Sequence, residues 1–134
     1  MGDGRLVVNV DGGARGNPGP AAIGVVISDD GGVLEEHAER IGEATNNVAE
    51  YRALLRGIER AAALGASELE LIGDSELVVR QVRGEYKVKD ATLRGLHEQV
   101  RLALEGFERW SIRHVGRDEN AEADRHVNLA LDDE

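Results

Sequence analysis

Residues 45–74 read TNNVAEYRALLRGIERAAALGASELELIGD, a helical pattern that passes directly into a strand. Leu54, Ile58 and Ala61 recur at the spacing of one helix face, with Thr45, Asn46 or Asn47 as possible caps at its start and Gly65 as its stop. Glu68 to Gly73 then changes to the short apolar run of a strand, carrying Leu69, Leu71 and Ile72, and ends on Asp74. A helix that feeds a strand in this way is the unit from which parallel pairs with right-handed crossovers are built.

Upstream, Arg5 to Val10 alternates around a β-branched run and reads as a strand stopped by the turn Asp11-Gly12-Gly13. The loop GNPGP follows, Ala22 to Ser28 forms a second strand, DDGG at residues 29–32 closes a hairpin, and Val33 to Ile41 returns as a third. Downstream, Asp74 and Ser75 begin a helix that runs through Val82. Asp90 to Leu104 is a second helix, with Leu93, Leu96, Val100 and Leu104 on one face. Glu108 to Val115 is a last strand, and Asn120 to Leu131 a last helix before the acidic end DDE. No repeat or linker interrupts the order β-β-β-α-β-α-α-β-α. The expectation is one α/β domain over residues 1–134, with three antiparallel strands followed by parallel ones.

The chain has 134 residues, 41% of them hydrophobic, but only one Trp, two Tyr and one Phe, so its core must be built from Val, Leu, Ile and Ala. The absence of cysteine excludes a disulfide framework, a thiolate metal site and a Cys nucleophile. No apolar run reaches bilayer length, and the start MGDGRLVVNVDGG lacks the basic flank and cleavage site of a signal peptide, so a soluble, cytoplasmic protein is expected. With 26 acidic and 16 basic residues the net charge is −10, which on its own argues against nucleic acid as a partner.

The informative acids are those placed where a carboxylate is costly. Asp11 and Asp74 each end a strand; if those strands are parallel neighbours, both emerge at the edge where open α/β sheets bind ligands. Glu50 shares the apolar stripe of Leu54, Ile58 and Ala61, and Asp124 that of Val127 and Leu131. Each has an ordinary structural reading as a turn residue, a helix cap or an acid favoured by the helix dipole. Four at one end of a small sheet, however, would repel one another strongly without a cation. With no His or Cys cluster beside them, they suit Mg²⁺ or Mn²⁺, and a pair of such ions suits phosphodiester hydrolysis.

Four segments, VDGGARGNPGPAAIG, ATNNVAEYRALLRGI, LIGDSELVVRQV and ENAEADRHVN, resemble in order and spacing the active-site blocks of type 1 ribonuclease H. The likeness runs from about Val7 to Leu131 and points to an archaeal and actinobacterial subgroup. It implies an RNase H-like fold, a five-stranded mixed sheet flanked by helices. It also implies an endonuclease that cuts the RNA strand of RNA/DNA hybrids, leaving 3′-hydroxyl and 5′-phosphate ends, with two Mg²⁺ or Mn²⁺ ions per site. Asp11, Glu50, Asp74 and Asp124 match the family's metal-binding acids. A residue assisting proton transfer or product release is either His114, ten residues before the last Asp, or Arg117, seven before it. The string HVGRDEN favours Arg117, although Gly116 replaces the subgroup's usual Pro.

The same resemblance implies substrate contacts. Backbone groups of Gly12, Gly13, Ala14 and Arg15 would meet 2′-hydroxyls and Asn17 a base edge or sugar. Thr45, Asn46 and Asn47 would hold the DNA strand, and Ser75 would line the substrate. Glu76 stands where Gln is common, which removes a donor. The segment RGEYKVKD at 83–90 replaces the helix and basic protrusion of bacterial members, leaving Lys87 and Lys89 as remnant contacts and implying salt-sensitive binding. The enzyme is expected to act as a monomer. Its rivals are a related nuclease of the same fold and a hybrid-binding module with weak catalysis.

Overall fold

The computed structural model describes residues 4–132. Its strands are β1 (Arg5–Ala14), β2 (Gly19–Asp29), β3 (Gly32–Ala44), β4 (Glu68–Gly73) and β5 (Arg109–His114). They form one sheet in the order β3-β2-β1-β4-β5. β1 runs antiparallel to β2 and β2 to β3, whereas β4 is parallel to β1 and β5 to β4. This is the mixed five-stranded sheet that the alternation of strands and helices predicts.

Four helices join and flank the strands: α1 (Asn46–Ala63), α2 (Glu76–Val82), α3 (Ala91–Leu104) and α4 (Ala121–Asp132). Thr45 caps α1 by accepting from the Val48 N–H at 3.2 Å, and Ser75 and Asp90 cap α2 and α3 in the same way. The stripe of α1 packs on the sheet with Val8, Val10, Val25, Ile27, Leu69 and Leu71 in a core without a large aromatic share. Inside it, Tyr51 Oη donates to Gln81 Oε1 at 2.6 Å and its ring meets His97 edge-on, so the one buried phenol has a partner. A smaller cluster of Ala22, Val127, Ala130 and Leu131 seats α4. Among the described residues no helix is long and apolar enough to cross a membrane.

Several boundaries differ from the expectation. β1 does not stop at the Asp-Gly-Gly turn but continues through it to Ala14, pairing Asp11 with Gly24 and Gly12 with Ile23. Gly12, and Gly24 opposite in β2, serve contact with helices instead. A Cβ on Gly12 would lie 2.3 Å from the Ala49 carbonyl in α1, and one on Gly24 would lie 2.2 Å from the Ala123 carbonyl in α4. β3 likewise extends to Ala44, because Gly42, Glu43 and Ala44 pair with Ala21, Pro20 and Gly19, so β2 also begins at Gly19 and not at Ala22; on one face of β3 Glu35 and Glu39 pair with Arg60 and Arg56 of α1. The last helix is preceded by a 3-10 turn, Arg117–Asn120, so Asn120 closes that turn and does not begin the helix.

Candidate active site

The parallel pairing of β1 and β4 ends at Asn9 and Ile72; two residues further along the chain from each stand Asp11 and Asp74. The register therefore sets these two carboxylates side by side where the sheet opens. Glu50 arrives from the first turns of α1, held there by the close contact of that helix with Gly12, whose N–H also hydrogen-bonds its carboxylate. One ligand oxygen from each of Asp11, Glu50 and Asp74 lies within 4.8 Å of the others. Asp124 comes from α4 and hydrogen-bonds Asp11, but lies outside that mutual set of three. All four line one open cleft of about 560 Å³.

The electrostatics are those of a cation site. Burial, then the neighbouring Asp74 and Asp124, push the Asp11 carboxyl from an ordinary 3.8 up to about 8. Glu50 is also held well above the usual carboxylate range, first by burial and then by Asp11 and Asp74, with the Gly12 N–H and Arg117 partly opposing the shift. In the absence of another charge, protons do what a cation would do. The donors are all carboxylate oxygens, the set preferred by a hard divalent ion over zinc, so these residues fit Mg²⁺ or Mn²⁺. A side chain at such a site that is 87% exposed yet still reaches it is Arg117, whose Nε lies 4.0 Å from Asp74 Oδ2. His114 ends β5, exposed and outside the cleft lining.

The other sequence candidates divide. Gly12, Gly13, Ala14, Arg15, Asn46, Asn47 and Ser75 line the cleft. Asn17 does not. Its Oδ1 accepts from the Asn46 N–H at 2.9 Å, and Asn46 Oδ1 in turn accepts from the Ala14 N–H at 2.8 Å. Both amides thus tie the loop after β1 to the start of α1. Thr45 is committed to its cap, and Glu76 to an ion pair with Arg80 at 2.9 Å. Lys87 and Lys89 stand outside the cleft lining. Arg15 pairs with Asp132 at the end of α4 at 2.6 Å.

Two residues of the site receive no role in the sequence reading. Asn128 lines the cleft one turn beyond Asp124 and donates to its backbone carbonyl at 3.2 Å. Asn120 is 1% exposed and bonds residues 9 and 10 of β1. Both lie inside the segment ENAEADRHVN, and a helical period places Asn128 near Asp124, but nothing in that segment gives either amide a role.

Comparison with known proteins agrees with the geometry. Residues 9–130 match the Reverse transcriptase-like family. Ribonuclease HI of Halobacterium salinarum is 49% identical over 131 residues, which is 97% of this chain and 66% of that protein. A bifunctional protein of Mycobacterium tuberculosis is 45% identical over 96% of this chain, which spans only 36% of its length. Among solved structures, RNase H1 of the halophilic archaeon H. salinarum superposes with a TM-score of 0.94 at 48% identity, covering 97% of this chain and 99% of the other. LC11-RNase H1 in complex with an RNA/DNA hybrid gives 0.90 at 46% identity, over 95% and 96% of the two chains. On sequence along nearly its whole length, and on a sheet order and carboxylate cluster reached independently of it, the chain belongs to the type 1 ribonuclease H family.

Proposed function

We propose that this chain is an endoribonuclease hydrolysing the RNA strand of RNA/DNA hybrids, with Mg²⁺ or Mn²⁺ at two positions in the cleft. The observation that carries the reading is the convergence of Asp11, Glu50 and Asp74, from three separate elements, on a common point at the floor of an open cleft. The LC11 relative, solved with such a hybrid, supports the choice of substrate.

Asp11, Glu50, Asp74 and Asp124 would hold the ions. Bound there, divalent ions would supply a water of lowered pKa and neutralise charge on the phosphodiester. The water gives up a proton to solvent as its oxygen bonds to phosphorus, the P–O3′ bond breaks, and the departing 3′-oxygen takes a proton from solvent, leaving 3′-hydroxyl and 5′-phosphate ends. The Gly12 N–H keeps Glu50 turned toward the cluster. Arg117 is always charged and cannot serve as a base; reaching over Asp74, its guanidinium stabilises the charge of the reacting phosphate. Backbone groups of Gly12 to Arg15, with Asn46, Asn47 and Ser75, are the proposed contacts to the two strands, and discrimination rests on the 2′-hydroxyl that only RNA has.

The test is incubation of the folded protein with labelled RNA/DNA hybrid, duplex DNA and duplex RNA, in Mg²⁺, in Mn²⁺ and with chelator. RNA cut only in the hybrid, and only with metal, is expected; Glu50→Gln abolishes it. A folded wild-type protein that leaves the hybrid intact under both metals overturns the reading.

A further inference from the structure

Asn120 is the most deeply buried amide side chain among the described residues, and its hydrogen bonds lead to the catalytic floor. Its Nδ2 donates to the Val10 carbonyl at 2.8 Å, and its Oδ1 accepts from Asn9 Nδ2 at 3.0 Å. Val10 immediately precedes Asp11. The pairing of β1 with β4 has ended by this point, at Asn9 and Ile72, and a side chain from a distant part of the chain supplies the donor to Val10.

The other end of the same segment is also tied down. The Val115 N–H donates to the Gly73 carbonyl at 3.0 Å, and Gly73 immediately precedes Asp74. Residues 115–120 are therefore fastened at one end beside Asp74 and at the other beside Asp11. Arg117 lies between the two fastenings, and Asp124 follows one helical turn after Asn120. The remaining residues of the turn, 116–119, are exposed and supply no packing to hold it.

We infer that Asn120 is a positioning residue of the catalytic centre: its amide sets the 3-10 turn and the start of α4 against β1, and so fixes where Arg117 and Asp124 stand relative to Asp74 and Asp11. The inference rests on the proposed nuclease reading for its kinetic readout alone. Asn is the residue type the position requires, because it must donate to a carbonyl and accept from an amide at once. An Asp keeps the shape and the acceptor but loses the donor to Val10.

The test compares Asn120→Asp with Gln81→Ala, which removes another buried amide, bonded to Tyr51 in the core and outside the cleft. Three quantities are measured on each: the thermal midpoint, kcat and KM on a labelled hybrid, and Mn²⁺ affinity by titration calorimetry without substrate. For Asn120→Asp the expected result is a kcat lower by about tenfold or more with KM within about twofold, and Mn²⁺ bound about tenfold more weakly, as for loss of a partner that orients a metal ligand. Gln81→Ala is expected to lose a comparable amount of thermal stability while keeping kcat and Mn²⁺ affinity within about twofold. Wild-type kcat or wild-type Mn²⁺ affinity in Asn120→Asp overturns the inference, as does an equal loss of kcat in the control.

If Asn120→Asp does not fold, Asn9→Ala replaces it. That change frees the Asn120 amide to rotate, and a kcat and Mn²⁺ affinity unchanged from wild type would refute the role. A wild-type protein that binds Mn²⁺ but cuts no hybrid defeats the nuclease reading, and the Mn²⁺ comparison still decides this one.

Discussion

Replacing Asp11 by Asn should make the metal-free protein more stable and inactive. The carboxyl is 5% exposed, and its pKa rises from 3.8 to about 8 on folding, chiefly through burial and then through Asp74 and Asp124. The sign follows from proton counts. Between these two pH values the unfolded chain releases the proton and the folded chain retains it, so rising pH favours unfolding across the window and stability is fullest below it. Each pH unit costs about 1.4 kcal/mol, which gives an upper bound of ~5 kcal/mol by pH 8 and about 1.5 kcal/mol at pH 5. An Asn amide can donate to Asp74 and Asp124 as the protonated acid does, without a charge to bury. Allowing for side-chain adjustment, the gain at pH 8 should be about 2–4 kcal/mol, or roughly 6–12 °C in thermal midpoint for a domain of this size.

The assay is thermal unfolding followed by circular dichroism, with chelator, for both proteins at pH 5 and pH 8. The Asp11→Asn protein should melt higher at pH 8 and lead by much less at pH 5. Added Mn²⁺ should raise the wild-type midpoint and close the gap, because the ion relieves the same repulsion. A variant that melts no higher than wild type at pH 8, or whose lead is the same at both pH values, would refute the argument that these carboxylates are held together against their charge.

Gly12→Ala places a methyl group 2.3 Å from the Ala49 carbonyl, and the forced separation of β1 from α1 should cost about 1–3 kcal/mol in urea unfolding. Because Glu50 moves with α1, kcat should also fall by about a hundredfold, a loss that an unmoved helix would not show. Arg117→Ala should lower kcat by about tenfold to a hundredfold, while His114→Ala stays near wild type; equal mild effects would remove Arg117 from the mechanism. Asp132→Asn releases Arg15 from an exposed ion pair and should lower KM for the hybrid by up to about fivefold, an effect that must vanish in an Arg15→Ala background.

The parts of this structure that were legible beforehand are those written in local periodicity. Glu50 stands out in sequence because it interrupts an apolar stripe, and it does sit in the cleft wall with that stripe packed behind it. Asp74 ends its strand as its apolar run implies, and its partnership with Asp11 follows once β1 and β4 are parallel. The reach of β1 was not legible, since Gly-Gly after an Asp has the composition of a turn. Only the approach of α1 from across the fold shows that bare backbone is needed at Gly12. The polar residues were the hardest to read for the same reason. Asn17 and Asn46 have the chemistry of substrate contacts, yet spend their acceptors on joining two segments that are 29 residues apart. Asn120 bonds a carbonyl 110 residues away, a relation no spacing rule contains.

The span between Val10 and Asn120 also governs when the site comes into being. Asp11 lies in β1 and Asp124 in α4, and the cluster of Asp11, Glu50 and Asp74 is built from β1, α1 and the end of β4 without any residue of α4. Contacts of such long sequence separation form late in folding, because most of the polypeptide must already be ordered for them to be worth their entropy. The carboxylate set thus stays incomplete until α4 docks through Gly24 and Asn120. A partly folded chain in which α4 has not docked therefore lacks its fourth carboxylate.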